Sequence, residues 1–144
     1  MPPEIASAHR WQVLAQGDSG DAIVAAMSAG GIDHLFFTSG TEIGFYQEAI
    51  AKARALGHPS LRLVTVPHEY VCLNAALGYA ALSGKPAATA AHVDVGTQHY
   101  GCAIHSAWYS GLPVLITAGA PPASYPGSRI DSGYTLLNIA IYNF

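Results

Sequence analysis

Two hydrophobic periods alternate along this 144-residue chain. Stretches with apolar residues three or four positions apart, typical of amphipathic helices, are separated by short apolar runs typical of buried strands. Glycine, proline or a capping residue marks most of the boundaries. The predicted helices cover residues 19–29, 41–56, 68–83 and 97–109, and the predicted strands cover residues 34–38, 61–66, 87–93 and 113–118.

Strict alternation of helix and strand indicates a parallel sheet that is covered on both faces. We therefore expect an α/β fold of three layers, α/β/α, with a central parallel sheet and right-handed crossovers. Residues 1–17 are interpreted as an N-terminal arm and residues 18–127 as the domain. Residues 128–144 form an atypical tail with a different residue pattern. Within it, residues 136–144 are apolar enough for a short strand or helix.

The charge content indicates contact with other protein surfaces. Only 10% of residues are charged and 51% are hydrophobic, whereas globular domains carry about a quarter charged residues. Residues 95–128 contain no Asp, Glu, Lys or Arg, but glycine and proline interrupt them, so we expect burial between subunits of a homo-oligomer and no membrane span. With six Lys and Arg and a net charge of -3, the chain offers no basic patch for nucleic acid.

The two cysteines suggest a reducing compartment. Cys72 and Cys102 both lie in apolar helical patterns, which favours buried free thiols over a disulfide or a metal site. The first residues, from Met1 to Glu4, lack the basic start and apolar run of a signal peptide. We therefore expect a cytoplasmic protein.

Three predicted loops carry the candidate chemistry. They cover residues 39–41, 67–69 and 92–96, and each follows a strand. Ligands of open parallel sheets bind beyond the carboxyl ends of the strands. The pattern therefore brings the hydroxyl of Thr41, the carboxylate of Glu69 and the imidazole of His92 to one edge.

Each of these residues also has a purely structural explanation. Glu69 could be a first-turn acid that favours its helix through the helix dipole. Thr41 could be a plain N-cap, and His92 a strand-end histidine bonded to backbone. Gly40 and Gly96 could be turn glycines. Residue type by itself does not separate these alternatives from function.

A family resemblance favours the functional alternative. Residues 66–86, VPHEYVCLNAALGYAALSGKP, resemble the pyrimidine-binding domain of thiamine-diphosphate enzymes, in which a strand is followed by His-Glu, Ala-Ala, Gly-Tyr-Ala and Gly-Lys-Pro. Residues 29–41 resemble the preceding strand and turn, with Ser39-Gly40 in place of Pro-Gly. Residues 92–98, HVDVGTQ, begin a third similar segment, and the whole resemblance covers residues 18–122.

The resemblance implies a role for each candidate. Glu69 would be catalytic and would bind N1′ of the cofactor's aminopyrimidine, favouring the imino tautomer that removes the thiazolium C2 proton. Gly40 and Gly96 would bind the cofactor. Thr41 and His92 would contact substrate, and His92 would also orient or protonate the carbonyl adduct. The His92 segment resembles benzoylformate decarboxylase more than acetolactate synthase, although Asp94 adds a charge that this loop usually lacks.

The resemblance also implies cofactors and partners. The cofactors would be thiamine diphosphate and Mg²⁺. A diphosphate-binding domain of the parent protein or of a partner subunit would complete their binding site, and this chain would supply no metal ligand. The signature of that domain, Gly-Asp-Gly or Gly-Asp-Ser followed by Asn, is matched only in three letters, at residues 17–19. We therefore expect the isolated chain to be inactive, as a truncated or frameshifted product of a longer gene.

Three functional hypotheses remain at this point. The first is half of a lyase or transferase that decarboxylates or ligates 2-oxo acids. The second is a non-catalytic module that keeps the fold for assembly or regulation, and the presence of Glu69 favours the first over it. The third is a flavodoxin-like nucleotide binder, which the absence of a Gly-x-Gly-x-x-Gly or Walker pattern disfavours.

Overall fold

A computed structural model describes residues 17–41, 43–120 and 136–142. The predicted arm up to residue 16 and the tail from 128 to 135 lie outside these ranges. Within them, every helix is too short or too polar to cross a bilayer. The elements are α1 (Ser19–Ala29), β1 (His34–Phe37), α2 (Ile43–Ala55), β2 (Arg62–Thr65), α3 (Glu69–Ser83), β3 (Ala87–Ala91), α4 (Val93–His99), α5 (Gly101–Ser110), β4 (Val114–Ala120) and β5 (Leu136–Tyr142).

The strands form one sheet in the order β2-β1-β3-β4-β5. The first four are parallel, and Leu35 of β1 lies between Leu63 of β2 and Ala88 of β3. This confirms the predicted parallel α/β sheet. The apolar end of the tail, for which strand and helix were both open, is strand β5. It runs antiparallel to β4, with Ala140 opposite Ile116.

Side chains of β1 show how both faces of the sheet are covered. Leu35 and Phe37 point into a core formed with α1 and α2, whereas Phe36 points into a second core formed with α3 and α5. Because successive strand residues face opposite sides, both faces need an apolar cover. The three-layer α/β/α arrangement predicted from the alternation is therefore confirmed.

Small residues and internal hydrogen bonds hold the centre of the sheet. All five residues of β3 are buried, and their small side chains let α3 pack closely on the sheet. The Tyr46 hydroxyl donates to Thr117 Oγ1 at 3.1 Å, and Thr117 donates to the Thr89 carbonyl at 2.9 Å. Buried hydroxyls that have hydrogen-bond partners cost little folding free energy. The sheet is therefore well packed below the carboxyl ends of its strands.

The chain departs from the prediction after β3. Residues 94–96 were predicted as a loop and residue 97 as a helix start, but α4 begins at Val93 and ends at His99, and α5 follows from Gly101. The reason is a sharp backbone turn at Val93, whose φ of 32° starts the helix directly after the strand. Gly96 is therefore a helical residue and not a turn glycine.

The cysteine prediction is right for one residue and wrong for the other. Cys72 is buried on α3, but Cys102 is exposed on α5, and both are free thiols. The apolar pattern around Cys102 reflects Ala103 and Ala107, which are the buried residues of α5. Cys102 lies on the exposed part of that helix.

Asp33, just before β1, lies in a polar cluster at the amino edge of the sheet. Its carboxylate accepts hydrogen bonds from the Tyr79 hydroxyl at 2.5 Å and from Lys85 Nζ at 2.9 Å, and His34 Nδ1 lies at 2.7 Å. The hydrogen bond from Tyr79, followed by those from His34 and Lys85, holds the pKa of Asp33 well below its ordinary value. The cluster thus joins β1 to the end of α3.

We expect Asp33 to make stability depend on pH. Because its folded pKa is lowered, its contribution is present above the ordinary Asp pKa of about 3.9 and is lost as the pH falls below it. The Asp33 side chain is 38% exposed, so solvent screening limits the effect of Asp33→Asn to about 1 kcal/mol. Urea unfolding of both proteins from pH 7 to about pH 2 should show this difference narrowing below about pH 4.

Tyr79→Phe provides a companion test, because it removes the largest cause of the lowered pKa and keeps the ring. It should reduce the pH-dependent part of the free energy of unfolding. The difference in this free energy between Tyr79→Phe and Asp33→Asn should therefore be smaller than that between the parent protein and Asp33→Asn. A gap between Asp33→Asn and the parent protein that stays constant across the pH range would contradict the assignment.

Candidate active site

The start of α3 fixes the position of Glu69. His68 is the N-cap, with extended backbone at φ -151° and ψ 135°, and its Nδ1 accepts a hydrogen bond from the Tyr70 N–H at 3.2 Å. A side chain that caps the first turn in this way stabilises the helix start. Glu69 is therefore the first residue of α3, at the carboxyl edge of the sheet, where ligands of this architecture bind.

Glu69 is the one charged residue that is buried among those the structure describes, with 8% of its surface exposed. Burying a carboxylate is costly unless hydrogen bonds compensate. Its Oε2 lies 3.0 Å from His99 Nδ1, where an imidazole N–H donates to the carboxylate. The amino end of α3 adds a favourable dipole. Glu69 is thus held in place by two elements, α3 and α4.

Gly96 lies directly against the carboxylate. A Cβ at this position would lie 3.0 Å from Glu69 Oε1 and 3.4 Å from the Cβ of Ala91. Glycine is therefore the residue at position 96 that allows Glu69 Oε1 to keep its present position. Gly96 and His99 are three residues apart on α4, so both project from the same face of this helix.

His99 is a site residue that the sequence analysis missed. Its partner Glu69 lies 30 positions earlier, so local pattern could not pair them. A signal was nevertheless present, because Gly96 and His99 have helical spacing. This spacing did not lead to a helix prediction because residues 94–96 were interpreted as a loop.

His92 lies at the end of β3, where it is half-buried and occupies the N-cap position of α4 without capping the helix through its side chain. The next residue, Val93, has a φ of 32°. A β-branched residue in this region is strained by about 1–3 kcal/mol, and such strain is typical of functional sites. The turn directs the chain from His92 into the helix that carries Gly96 and His99.

Gly40 and Thr41 lie between β1 and α2. The Gly40 carbonyl accepts from the Ile43 N–H and the Thr41 carbonyl from the Gly44 N–H, each at 3.2 Å. Thr41 is exposed. Because β1 is the neighbour of both β2 and β3, this loop shares the edge with Glu69 and His92. Glu69 contacts Gly96 and His99, whereas Gly40 and Thr41 approach the same edge from β1.

A buried layer of neutral polar groups lies near Glu69. Cys72 and Tyr100 are fully buried, and burial raises the pKa of the Cys72 thiol to about 12 and that of Tyr100 above its ordinary value. The Cys72 thiol and the Tyr100 hydroxyl interact with each other, and the hydroxyls of Thr38 and Thr89 lie beside them. The Cys72 thiol and the Tyr100 hydroxyl therefore stay neutral at physiological pH.

A model of the family "Thiamine pyrophosphate enzyme, N-terminal TPP binding domain" matches residues 18–136. The chain is 37% identical over 71 residues to benzoylformate decarboxylase of Pseudomonas aeruginosa, a match that covers 46% of this chain and 13% of that protein.

Solved structures share the fold. A thiamin diphosphate-dependent enzyme from Mycobacterium smegmatis superposes with a TM-score of 0.62 at 21% identity, covering 76% of this chain and 20% of that one. The 2-oxoglutarate:ferredoxin oxidoreductase of Magnetococcus marinus gives 0.58 at 20% identity, covering 75% and 18%. The chain spans about a fifth or less of each of these proteins.

Proposed function

Because the chain belongs to the thiamine pyrophosphate enzyme family as its N-terminal TPP binding domain, we propose that it supplies the pyrimidine-binding half of an enzyme that acts on 2-oxo acids. The observation that carries this proposal is the buried carboxylate of Glu69 at the carboxyl edge of the sheet. No other charged side chain among the described residues is buried, so Glu69 is the buried group that can exchange a proton with a ligand.

The residues present fit an aminopyrimidine ring. The ring needs a carboxyl group at one ring nitrogen and room beside it, and Gly96 keeps the space next to Glu69 Oε1 free of a side chain. When bound, thiamine diphosphate supplies a carbon nucleophile that adds to the carbonyl of a 2-oxo acid and accepts the electron pair left by the departing carboxyl group.

The chain's own contribution is proton handling at Glu69. In the proposal, Oε1 exchanges a proton with the pyrimidine ring while His99 holds Oε2 through its Nδ1, 3.0 Å away. Holding one oxygen fixes the direction of the other, which proton transfer requires. Gly96 lies against Oε1, and only 8% of the surface of Glu69 is exposed to water.

The substrate class is proposed from the decarboxylase relative and from His92. An imidazole at the end of β3 can orient the carbonyl of a bound 2-oxo acid or give it a proton. Thr41, exposed on the neighbouring loop, is the second proposed substrate contact. Decarboxylation and carboligation both use these roles, and the product depends on which acceptor reaches the site.

A diphosphate-binding domain, from the parent protein or from a partner subunit, is proposed to complete the site and to hold the diphosphate through Mg²⁺. Exposed apolar residues beside Glu69 support a protein partner at this edge: Tyr70 is 44%, Val71 50% and Val95 63% exposed. Exposed apolar residues that lie close together are typical of surfaces that bind other proteins. Homo-oligomerisation would be one way to bring the second domain to this edge.

Turnover and binding assays test the proposal. The chain assembled with a diphosphate-binding domain should decarboxylate 2-oxo acids only when thiamine diphosphate and Mg²⁺ are added. The isolated chain should show no affinity for the cofactor in calorimetry, because the groups that bind the diphosphate belong to the other domain. Micromolar binding by the isolated chain would contradict the divided site, and cofactor-independent turnover would contradict the function.

A further inference from the structure

Three side chains that can bind a metal ion meet at the start of α3. His68, Glu69 and His99 each place one potential ligand atom within 4.8 Å of the other two. Two imidazoles and one carboxylate form a ligand set that suits Zn²⁺ and leaves a fourth position for water. Mg²⁺ prefers an octahedron of oxygen ligands, so this set is distinct from the one expected for the cofactor's diphosphate.

The spacing between two of the ligands is already close to that of a zinc site. His99 Nδ1 and Glu69 Oε2 are 3.0 Å apart. Around a tetrahedral Zn²⁺ with bonds of about 2.0–2.2 Å, neighbouring ligand atoms are about 3.4 Å apart. A cation can therefore replace the proton that joins these two atoms with little movement of either side chain.

His68 is the third and weakest ligand. Its ring stacks on that of His99, with centroids 5.0 Å apart and planes at 21°, so both rings reach the same space. Its Nδ1, however, accepts the Tyr70 N–H, and binding a metal requires the ring to give up this hydrogen bond. We expect that loss to reduce the contribution of His68 by about fivefold.

The site is open to solvent on one side. The His99 side chain is 47% exposed and that of Glu69 is 10% exposed, while His68 is also exposed. A cation would meet the two imidazoles first and the buried carboxylate behind them. Bound there, it would occupy the carboxylate oxygen that holds the present hydrogen bond.

We propose that His68, Glu69 and His99 form a Zn²⁺ site, and that zinc and the cofactor's pyrimidine ring exclude each other. The second part rests on the proposed function: the ring needs a proton from Glu69 Oε1, and a carboxylate that binds Zn²⁺ through Oε2 has no proton to give. Free Zn²⁺ would then be an inhibitor that competes with thiamine diphosphate.

Calorimetric titration of the chain with ZnCl₂ at neutral pH tests the site itself. We expect one Zn²⁺ per chain. Glu69→Gln and His99→Asn should weaken binding by about 100-fold or more, since the loss of groups outside the ligand shell already costs 10–100-fold. His68→Gln should cost about 20-fold, because the hydrogen bond to Tyr70 offsets part of its contribution.

Two controls make the titration specific. His58→Asn removes an exposed histidine in the α2–β2 loop, and Cys102→Ser removes the exposed thiol on α5; both should bind zinc like the parent chain. Excess MgCl₂ should leave the zinc affinity unchanged. Absence of saturable binding, or equal weakening by His58→Asn, would overturn the site. NMR shift changes confined to the starts of α3 and α4 guard against variants that misfold.

A competition experiment separates this inference from the proposed function. In the assembly with a diphosphate-binding domain, saturating thiamine diphosphate should lower the apparent zinc affinity at least tenfold. Zinc binding without competition would keep the metal site and contradict contact between Glu69 and the cofactor. Absence of zinc binding would overturn the metal site and leave the role of Glu69 standing.

Discussion

Glu69→Gln is expected to lower thiamine-diphosphate-dependent turnover of a 2-oxo acid by about a thousandfold in the assembled protein. Glutamine keeps the size of the side chain but has no proton to exchange, and positioned acid–base groups contribute 10²–10⁴-fold to rates. The measurements are kcat with a saturating 2-oxo acid and the rate of deuterium exchange at the cofactor's C2, followed by NMR. Both should fall together, because both depend on the same proton transfer.

Glu48→Gln is the matched control for this change. Glu48 is exposed on α2, so the same chemical substitution there should leave turnover and exchange unchanged. Thermal unfolding of both variants would show that each remains folded. A normal exchange rate in Glu69→Gln would refute the central role given to this residue.

Gly96→Ala is expected to lower turnover by about tenfold to a hundredfold while the chain stays folded. The added methyl group would lie 3.0 Å from Glu69 Oε1, so the carboxylate must move by a few tenths of an ångström. Displacements of about 1 Å in catalytic groups cost on the order of 10²-fold. Stability should change little, since alanine favours the helix by roughly 1 kcal/mol over glycine and offsets the close contact.

Gly78→Ala is the control for the glycine substitution. Gly78 lies within α3, and a Cβ there meets no atom within 4 Å. This change should stabilise the chain by about 0.5–1 kcal/mol in urea unfolding and leave turnover unchanged. If Gly96→Ala turned over substrate as fast as Gly78→Ala, the proposed fit between Gly96 and Glu69 would be wrong.

The sequence predicted most of the elements because their patterns are local. The helix that starts after His68, its end at Gly84 and the buried run around Leu35 all depend on residues within a few positions of one another. The edge that carries Glu69 followed from the alternation, since parallel strands end on one side of their sheet. Family membership was likewise predicted from the resemblance, and the match to residues 18–136 confirms it.

The prediction of the elements fails at one position, where a single residue changes the direction of the backbone. At Val93 the backbone turns through φ 32°, and α4 starts there, four residues before the helix that was expected to begin at residue 97. Valine gives no local sign of such a conformation, because isolated valine avoids it. Such a strained conformation persists only where the surrounding structure imposes it, and that structure involves residues far apart in sequence.

The sequence by itself determined the fold class and predicted that Glu69 lies at the carboxyl edge of the sheet. Only the tertiary structure decided that Glu69 is buried, that Gly96 lies against one carboxylate oxygen and that His99 binds the other. The physical reason is the distance in sequence over which each interaction acts. Periodicity and capping act over a few residues, whereas the burial of a carboxylate and its partner 30 positions away depend on how α3 and α4 pack at the end of one sheet.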